Sequence, residues 1–247
     1  VSEERIDGAG FLPSYTGLRR DLLRHVHGEG LTVLDLGCAT GRNGRHLLER
    51  GVARRVLGVE LDPAMAAEAR RHYERVLVAD LDQPAAMAEL EGESFDCVLA
   101  GDVLEHLREP ERLLGRLTAL LSPGGRIIVS VPNVQHLETF IQLYLRGTWP
   151  REERGLFDRT HVRFFTRRNL LELLTGAGLV VERLERRFRF RDRVGSRFPL
   201  GTGPLLKRLF PNLFTHQYVA VCRRADAPAR GLPAPSGAAA APDGARR

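Results

Sequence analysis

The stretch Val33-Leu34-Asp35-Leu36-Gly37-Cys38-Ala39-Thr40-Gly41-Arg42-Asn43-Gly44 decides how the rest of this 247-residue chain is read. A short apolar run carries an acid near its end, and two glycines four residues apart then open into a helical segment. Backbone without Cβ atoms can turn sharply and admit a ligand at close range. The amides that begin the following helix form an electropositive rim. A glycine-rich turn between strand and helix also serves as plain packing punctuation, so the next unit matters. Val56-Leu57-Gly58-Val59-Glu60-Leu61-Asp62-Pro63 is a second apolar run ending in an acid, with Glu60 lying 25 residues after Asp35. That is near the spacing at which a carboxylate on the second strand of a βαβ unit accepts bonds from ribose hydroxyls. Together the two units favour an adenosine-containing ligand over a purely structural turn.

The pattern repeats along the chain. Strands are expected at Leu31 to Leu36, Val56 to Leu61, Val76 to Ala79, Phe95 to Ala100 and Arg126 to Val131. Helices alternate with them: one from near Gly44 to Gly51, one opened by Pro63, and one opened by Pro110 with Leu113, Leu114, Leu117 and Leu120 at helical spacing. Alternation of this kind implies a parallel sheet with helices on both faces. Ligands then bind beyond the carboxyl ends of the strands, where Asp35, Glu60 and Asp80 all fall. Residues 134–165 interrupt the alternation with a helix (Val134 to Leu145), a Gly147-Thr148-Trp149-Pro150 stretch and a charged run, and are expected to form a lid. Thr166 can cap the next helix, which ends at Gly176 or Gly178. Residues 1–30 read as a cap segment with a helix carrying Leu18, Leu22, Leu23 and Val26 on one face, and residues 225–247 as a disordered Ala/Pro/Gly/Arg tail.

Composition narrows the partners. The length suits one α/β domain with a substantial core, and no segment approaches the apolar length that crosses a bilayer. The opening Val1-Ser2-Glu3-Glu4-Arg5 is acidic and polar, unlike a leader, so a cytoplasmic location is expected. Cys38, Cys97 and Cys222 lie far apart without metal-ligand spacing and read as reduced, buried thiols. The net charge of +6 suits an acidic partner. No aromatic-basic platform for nucleic acid is evident, and a phosphorylated or nucleotide-linked acceptor explains the charge equally well. Phe198 to Phe214 is apolar and basic, read as a loop with a short helix, with a membrane-surface or dimer contact as the alternative.

At this point the sequence resembles the class I S-adenosylmethionine-dependent methyltransferases. The resemblance rests on the D-L-G-C-x-T-G turn, on Gly58-Val59-Glu60-Leu61-Asp62-Pro63, on Ala79-Asp80-Leu81, and on the run from Phe95 through Gly101-Asp102-Val103-Leu104-Glu105-His106-Leu107. Leu121-Ser122-Pro123-Gly124-Gly125 followed by Arg126 to Asn133 matches the family's fifth strand and its preceding turn. The match spans about residues 30 to 135 and is specific as a set. One position departs: the middle glycine of G-x-G-x-G is Ala39, whose turn is expected to persist with φ kept negative. The extra methyl also argues against a nicotinamide dinucleotide, whose pyrophosphate needs closer backbone access.

The resemblance implies a Rossmann-like, doubly wound sheet of seven strands, mostly parallel with an antiparallel last strand and a lid insertion after strand five. Strands six and seven would then be Val180 to Arg187 and His216 to Arg223. It implies S-adenosyl-L-methionine as cofactor, with Gly37, Cys38 and Gly41 around the methionine portion and Asp35 fixing the turn or the amino group. Glu60 would hold the ribose diol, Leu61 line the adenine slot, Asp80 and the Leu81 backbone meet the adenine, and Asp102 sit beside the methyl. Tyr15 and Arg19 could reach the cofactor's carboxylate. An oxygen acceptor needs a proton acceptor, and His161 and His106 are the candidates, His106 having a structural role as its alternative. Arg159 and Arg163 could grip an anionic acceptor. Asp158, His161, Glu105 and His106 could assemble an oxygen–nitrogen set, but the spacing requires no metal and none is assigned.

The expected activity is methyl transfer to a small or carrier-linked acceptor, with a hydroxyl of a sugar or secondary metabolite preferred. Nitrogen or carbon acceptors, and a non-catalytic module that binds S-adenosylmethionine or a nucleotide, are the alternatives. A homodimer is compatible with the sequence.

Overall fold

Strand β1, Leu31–Leu36, is the axis of the molecule because both its edges are occupied by parallel strands. The computed structural model describes residues 16–192, 198–199 and 201–225. On one side of β1 lie β2 (Ala53–Glu60) and β3 (Arg75–Val78), and on the other β4 (Phe95–Gly101) and β5 (Leu121–Pro132). The antiparallel pair β7 (Thr215–Arg224) and β6 (Leu179–Phe188) completes a seven-stranded sheet of order β3-β2-β1-β4-β5-β7-β6. The chain's direction of travel across the sheet reverses between β1 and β4, and this is where open α/β sheets leave a crevice. Register brings the crevice walls level: Leu36 pairs with Val59 of β2 and with Ala100 of β4. Gly37, Glu60 and Asp102 therefore emerge at one edge.

Alternation along the strands divides the core in two. Leu34, Leu36, Val98, Val129 and their neighbours pack against α4 (Pro110–Ala119) and α6 (Arg167–Gly176) through Leu114, Leu117, Leu170 and Leu174. Val33, Val56, Leu99 and Ile128 face α1 (Arg20–Leu23), α2 (Arg42–Glu49) and α3 (Pro63–Ala69). Two helices of these layers begin on side-chain caps, of which Thr166 was expected from the sequence. Asp62 accepts the amides of Ala64 and Met65 ahead of α3 with Pro63 in the first turn, and Thr166 accepts the Asn169 amide ahead of α6. Each cap contributes about 1 kcal/mol. Cys38, Cys97 and Cys222 are buried free thiols, and no described helix is long and apolar enough to cross a membrane.

Some boundaries differ from the sequence-based expectation, each for a local reason. The strand expected from Val56 begins at Ala53: Arg55 reaches to Glu74 and Glu93 and interrupts the apolar run, and the pairing with β1 continues to Ala53 across an irregularity at Arg54. The strand expected from Arg126 begins at Leu121. Its Ser122-Pro123-Gly124-Gly125 turn is absorbed as an irregularity between the Phe95–Leu121 and Cys97–Arg126 pairs. In place of one helix from Val134 to Leu145 there is a short α5 (Leu137–Phe140) that widens into a π turn over Ile141–Leu145. Its start is delayed because the Asn133 side chain is spent on the Asn212 and Thr215 carbonyls and on the Gln135 amide, leaving His136 to cap. The leading helix is only the four residues of α1, yet Leu22, Leu23 and Val26 are buried as its apolar face requires. Residues of the basic apolar stretch form α7 (Gly203–Leu209) and α8 (Pro211–Phe214), with Leu205, Leu209 and Phe210 exposed. Tyr15 and the tail beyond Ala225 lie outside the described residues.

The insertion is rooted at both ends. Asn133 bridges to Phe165, and the amides of Val162 and Arg163 both donate to the carbonyl of Glu105, at 2.9 and 3.0 Å. The second half of the insertion is thereby tied to the loop leaving β4.

Candidate active site

The crevice is a cavity of about 1770 Å³. Asp35, Gly37, Cys38, Glu60 and Leu61 line it from the β1 and β2 side, and Asp80, Leu81 and Asp102 from the ends of β3 and β4. His106 and His161 line the far wall, with Asp158 from the insertion. Gly41 does not line it. This residue has φ of 78°, and a Cβ on it would come within 3.0 Å of the Ala69 Cα and 3.1 Å of the Tyr73 ring, so it is glycine for packing.

The turn itself departs from expectation at Ala39, whose φ is +47° rather than negative. The conformation is left-handed, which costs an alanine about 1–2 kcal/mol relative to its right-handed form. It is held because the Ala39 amide donates to Glu60 Oε2 at 2.7 Å, while Glu60 Oε1 accepts the amides of Leu61 and Asp62 at 2.8 and 2.9 Å. Glu60 is thus a hub joining the two loops across the crevice. Cys38 contributes backbone only, since its 2 % exposed side chain turns inward against Gly58. Leu61, at 66 % exposed, stands as an apolar lip over the rim. Asp80 accepts the Asp82 amide at 2.9 Å, which orders the loop after β3.

Below the turn, Asp35 is buried and receives the Tyr73 hydroxyl at 2.6 Å. Burial pushes its carboxyl up to about 7, opposed by the Tyr73 bond. The same hydroxyl accepts the Gly44 amide at 2.9 Å. Tyr73 escaped the sequence reading. Its signal was the set of glycines around it: a Cβ at Gly44 would come within 2.5 Å of this ring, and one at Gly58 within 3.0 Å.

Asp102 also has positive φ, +57°. Its oxygens accept from Arg19 at 2.7 Å, Ser130 at 2.7 Å and Gln217 at 2.6 Å. Arg19 reaches on to Asp21 at 2.9 Å and to Ser130 at 3.0 Å, so its guanidinium braces the strand ends. Ser130 and Gln217 were invisible to sequence reading because they arrive from β5 and β7. Arg159 and Arg163 do not line the cavity: Arg159 pairs with Glu153 at 3.0 Å and Arg163 donates to the Arg108 carbonyl. Arg146, Arg154, Arg187, Arg189 and Arg191 line it instead; Arg187 faces Asp21, Arg189 faces Asp192 and Arg191 faces Glu138.

His106 and His161 meet edge to face with ring centroids 4.8 Å apart. The Thr160 hydroxyl donates to Asp158 Oδ1 at 2.6 Å and lies 2.9 Å from His106 Nδ1. A hydroxyl has one proton and a carboxylate only accepts, so Thr160 accepts from His106 Nδ1–H. His161 Nδ1 lies 3.3 Å from the Leu156 carbonyl, which likewise requires Nδ1–H. In both neutral rings the lone pair is then on Nε2. Burial, followed by the neighbouring His106, lowers the proton affinity of His161. Between the rings' backbone anchors lies Glu105, 1 % exposed, whose carboxyl burial pushes well above its usual range.

The fold is shared with known proteins. A family model described as "Methyltransferase domain" matches residues 14–184. A ubiquinone biosynthesis O-methyltransferase from Cereibacter sphaeroides is 34% identical over 164 residues, covering 65% of this chain and 64% of that protein. One of the same name from Pseudomonas paraeruginosa is 34% identical over 131 residues, covering 48% and 56%. The matched region thus spans less than two thirds of these curated relatives. Among solved structures, an S-adenosylmethionine dependent methyltransferase from Mesorhizobium loti superposes with a TM-score of 0.54 at 24% identity, covering 82% of this chain and 95% of that one. The magnesium protoporphyrin IX methyltransferase of Synechocystis, solved with S-adenosylhomocysteine bound, has a TM-score of 0.53 at 19% identity, covering 79% and 75%. With a domain model matching well over half its length and the sheet order that goes with it, the chain belongs to the class I S-adenosylmethionine-dependent methyltransferase family.

Proposed function

We propose that the protein transfers the methyl group of S-adenosylmethionine to a hydroxyl oxygen of a small or carrier-linked acceptor. The carrying observation is the His106–His161 pair, whose Nε2 lone pairs are left available by the partners that hold both Nδ1 atoms, on the wall of the cavity that also contains the glycine turn and Glu60. In this reading the cofactor lies across β1 and β2, its ribose diol on Glu60, its adenine between Leu61 and the Asp80–Leu81 loop, and its amino-acid arm near Asp35, Gly37 and Arg19. The methyl then points past Asp102 toward the histidines. A hydroxyl attacking it must lose a proton, and His161 is placed to accept it, with His106 beside it. The relatives named for ubiquinone biosynthesis are O-methyltransferases by name, which agrees with an oxygen acceptor. The acceptor's polar groups would meet the arginines that line the cavity, Arg146 among them.

The test is formation of S-adenosylhomocysteine with a panel of acceptors: hydroxylated aromatic rings of the ubiquinone-precursor kind, sugars and nucleotide sugars. One hydroxyl class should turn over, and His161→Ala should lower kcat on it by about 10²–10⁴-fold. Binding of the cofactor without turnover on any hydroxyl, amine or activated carbon would instead make the chain a binding module.

A further inference from the structure

Glu105, His106 and His161 offer ligand atoms that all lie within 4.8 Å of one another. Three features separate this trio from an ordinary polar cluster. First, Glu105 Oε2 is buried and has no hydrogen-bond partner among the described residues. A buried carboxylate oxygen left alone carries an uncompensated desolvation cost, which a cation would remove. Second, the two histidines come from different parts of the chain, the β4 exit and the insertion, yet each has Nδ1 occupied: His106 by Thr160, itself bonded to Asp158, and His161 by the Leu156 carbonyl. A carboxylate or carbonyl behind Nδ1 is the arrangement that orients imidazoles as ligands through Nε2. Third, the Glu105 carbonyl receives the Val162 and Arg163 amides, so the backbone that carries His161 is pinned to the backbone that carries Glu105.

We propose that Glu105, His106 and His161 form a binding site for one divalent transition-metal cation on the cavity wall. Two imidazoles and a carboxylate suit zinc, cobalt, iron(II) or manganese better than magnesium or calcium, which prefer all-oxygen sets. Bonds of ~2.1 Å require the ligand atoms to draw together by about an ångström from the separations seen here, within reach of side-chain rotation. Three protein ligands leave coordination positions open, and these face the cavity. There the ion would polarise an acceptor hydroxyl and lower its pKa, so that its proton would leave to solvent in the open cavity as the oxygen took the methyl and S-adenosylhomocysteine was released; in the ion-bound form neither imidazole would need to act as base. That role rests on the O-methylation proposed above, whereas the site itself does not.

The experiment reads binding without any acceptor. Full-length protein stripped with EDTA is titrated with Co²⁺, followed by its visible absorption, and with Zn²⁺ by calorimetry. Saturation at one ion per chain, with absorption typical of mixed nitrogen–oxygen ligation, is expected. His106→Ala and His161→Ala should each weaken binding at least tenfold, and Thr160→Val, which touches no ligand position, about 10–100-fold. His161 is part-exposed, so its variant should fold even where a change at buried Glu105 does not, and thermal unfolding checks this. Absence of saturable binding to the wild-type chain, or wild-type affinity retained in both histidine variants, overturns the site. A failed acceptor screen alongside normal cobalt binding would refute the O-methylation reading and leave the site standing.

Discussion

The Tyr73 hydroxyl bridges two elements of the nucleotide-binding unit: it donates to Asp35 Oδ2 at the end of β1 and accepts the Gly44 amide in the first turn of α2. The ring fills space that Gly41, Gly44 and Gly58 leave empty. Strand, turn and helix are thereby joined by one side chain reaching in from beyond α3.

Tyr73→Phe keeps the ring and deletes both bonds. Asp35 and the Gly44 amide are then left buried without that partner, so the variant should lose about 1–3 kcal/mol of stability in urea unfolding. Affinity for S-adenosylhomocysteine should fall with it, because the turn loses its brace. Unchanged values in both measurements would mean the hydroxyl is a bystander.

Asp35 should make stability depend on pH with a definite sign. Its carboxyl sits at about 7 in the folded chain, against roughly 3.9 in an unfolded one. Between those values the folded state holds a proton that the unfolded state has released, so stability falls as pH rises through the window. Asp35→Asn removes that contribution. The variant should gain on the wild type between about pH 4 and about pH 7, and parallel stability curves would rule the effect out.

At Ala39 the left-handed backbone favours glycine. Ala39→Gly should relieve about 1 kcal/mol of strain, offset by a comparable gain in unfolded-chain entropy, leaving the melting temperature nearly unchanged. Ala39→Val has no such compensation and should lower it clearly. Equal tolerance of both changes would show that the turn does not need positive φ here.

Gly58→Ala places a methyl 2.6 Å from Cys38 Sγ and 3.0 Å from the Tyr73 ring. Overpacking of this kind costs about 1–3 kcal/mol. Removing the thiol in Cys38→Ala should recover part of the loss, measurable as a double-mutant coupling of at least about 0.5 kcal/mol. Simple additivity would assign the cost to the Tyr73 ring instead.

Glu60→Ala should weaken S-adenosylhomocysteine binding by tenfold or more, equivalent to about 1.4 kcal/mol, since the side chain accepts three loop amides and faces the cavity. Calorimetry beside a thermal melt separates lost ligand contact from a loosened loop. An affinity equal to wild type would remove Glu60 from the cofactor site.

How much of this was legible before any coordinates follows from the range of the forces involved. The apolar runs at Leu31–Leu36 and from Phe95 to Ala100, the Pro63-marked start of α3 and the Thr166 cap are local, set by neighbours within a few residues, and they read correctly in sequence. So did the placing of Asp35, Glu60 and Asp80 at one sheet edge, because parallel strands bring their carboxyl ends together whatever lies between them. The tertiary structure alone decided what those residues touch. Tyr73 reaches Asp35 across 38 positions, Gln217 reaches Asp102 across 115, and Thr160 reaches His106 across 54. Such contacts carry no local spacing signal. They arise when helices and an insertion pack onto the sheet and each buried polar atom must find a partner. That same requirement singles out Glu105 Oε2 as a buried atom with no hydrogen-bond partner among the described residues.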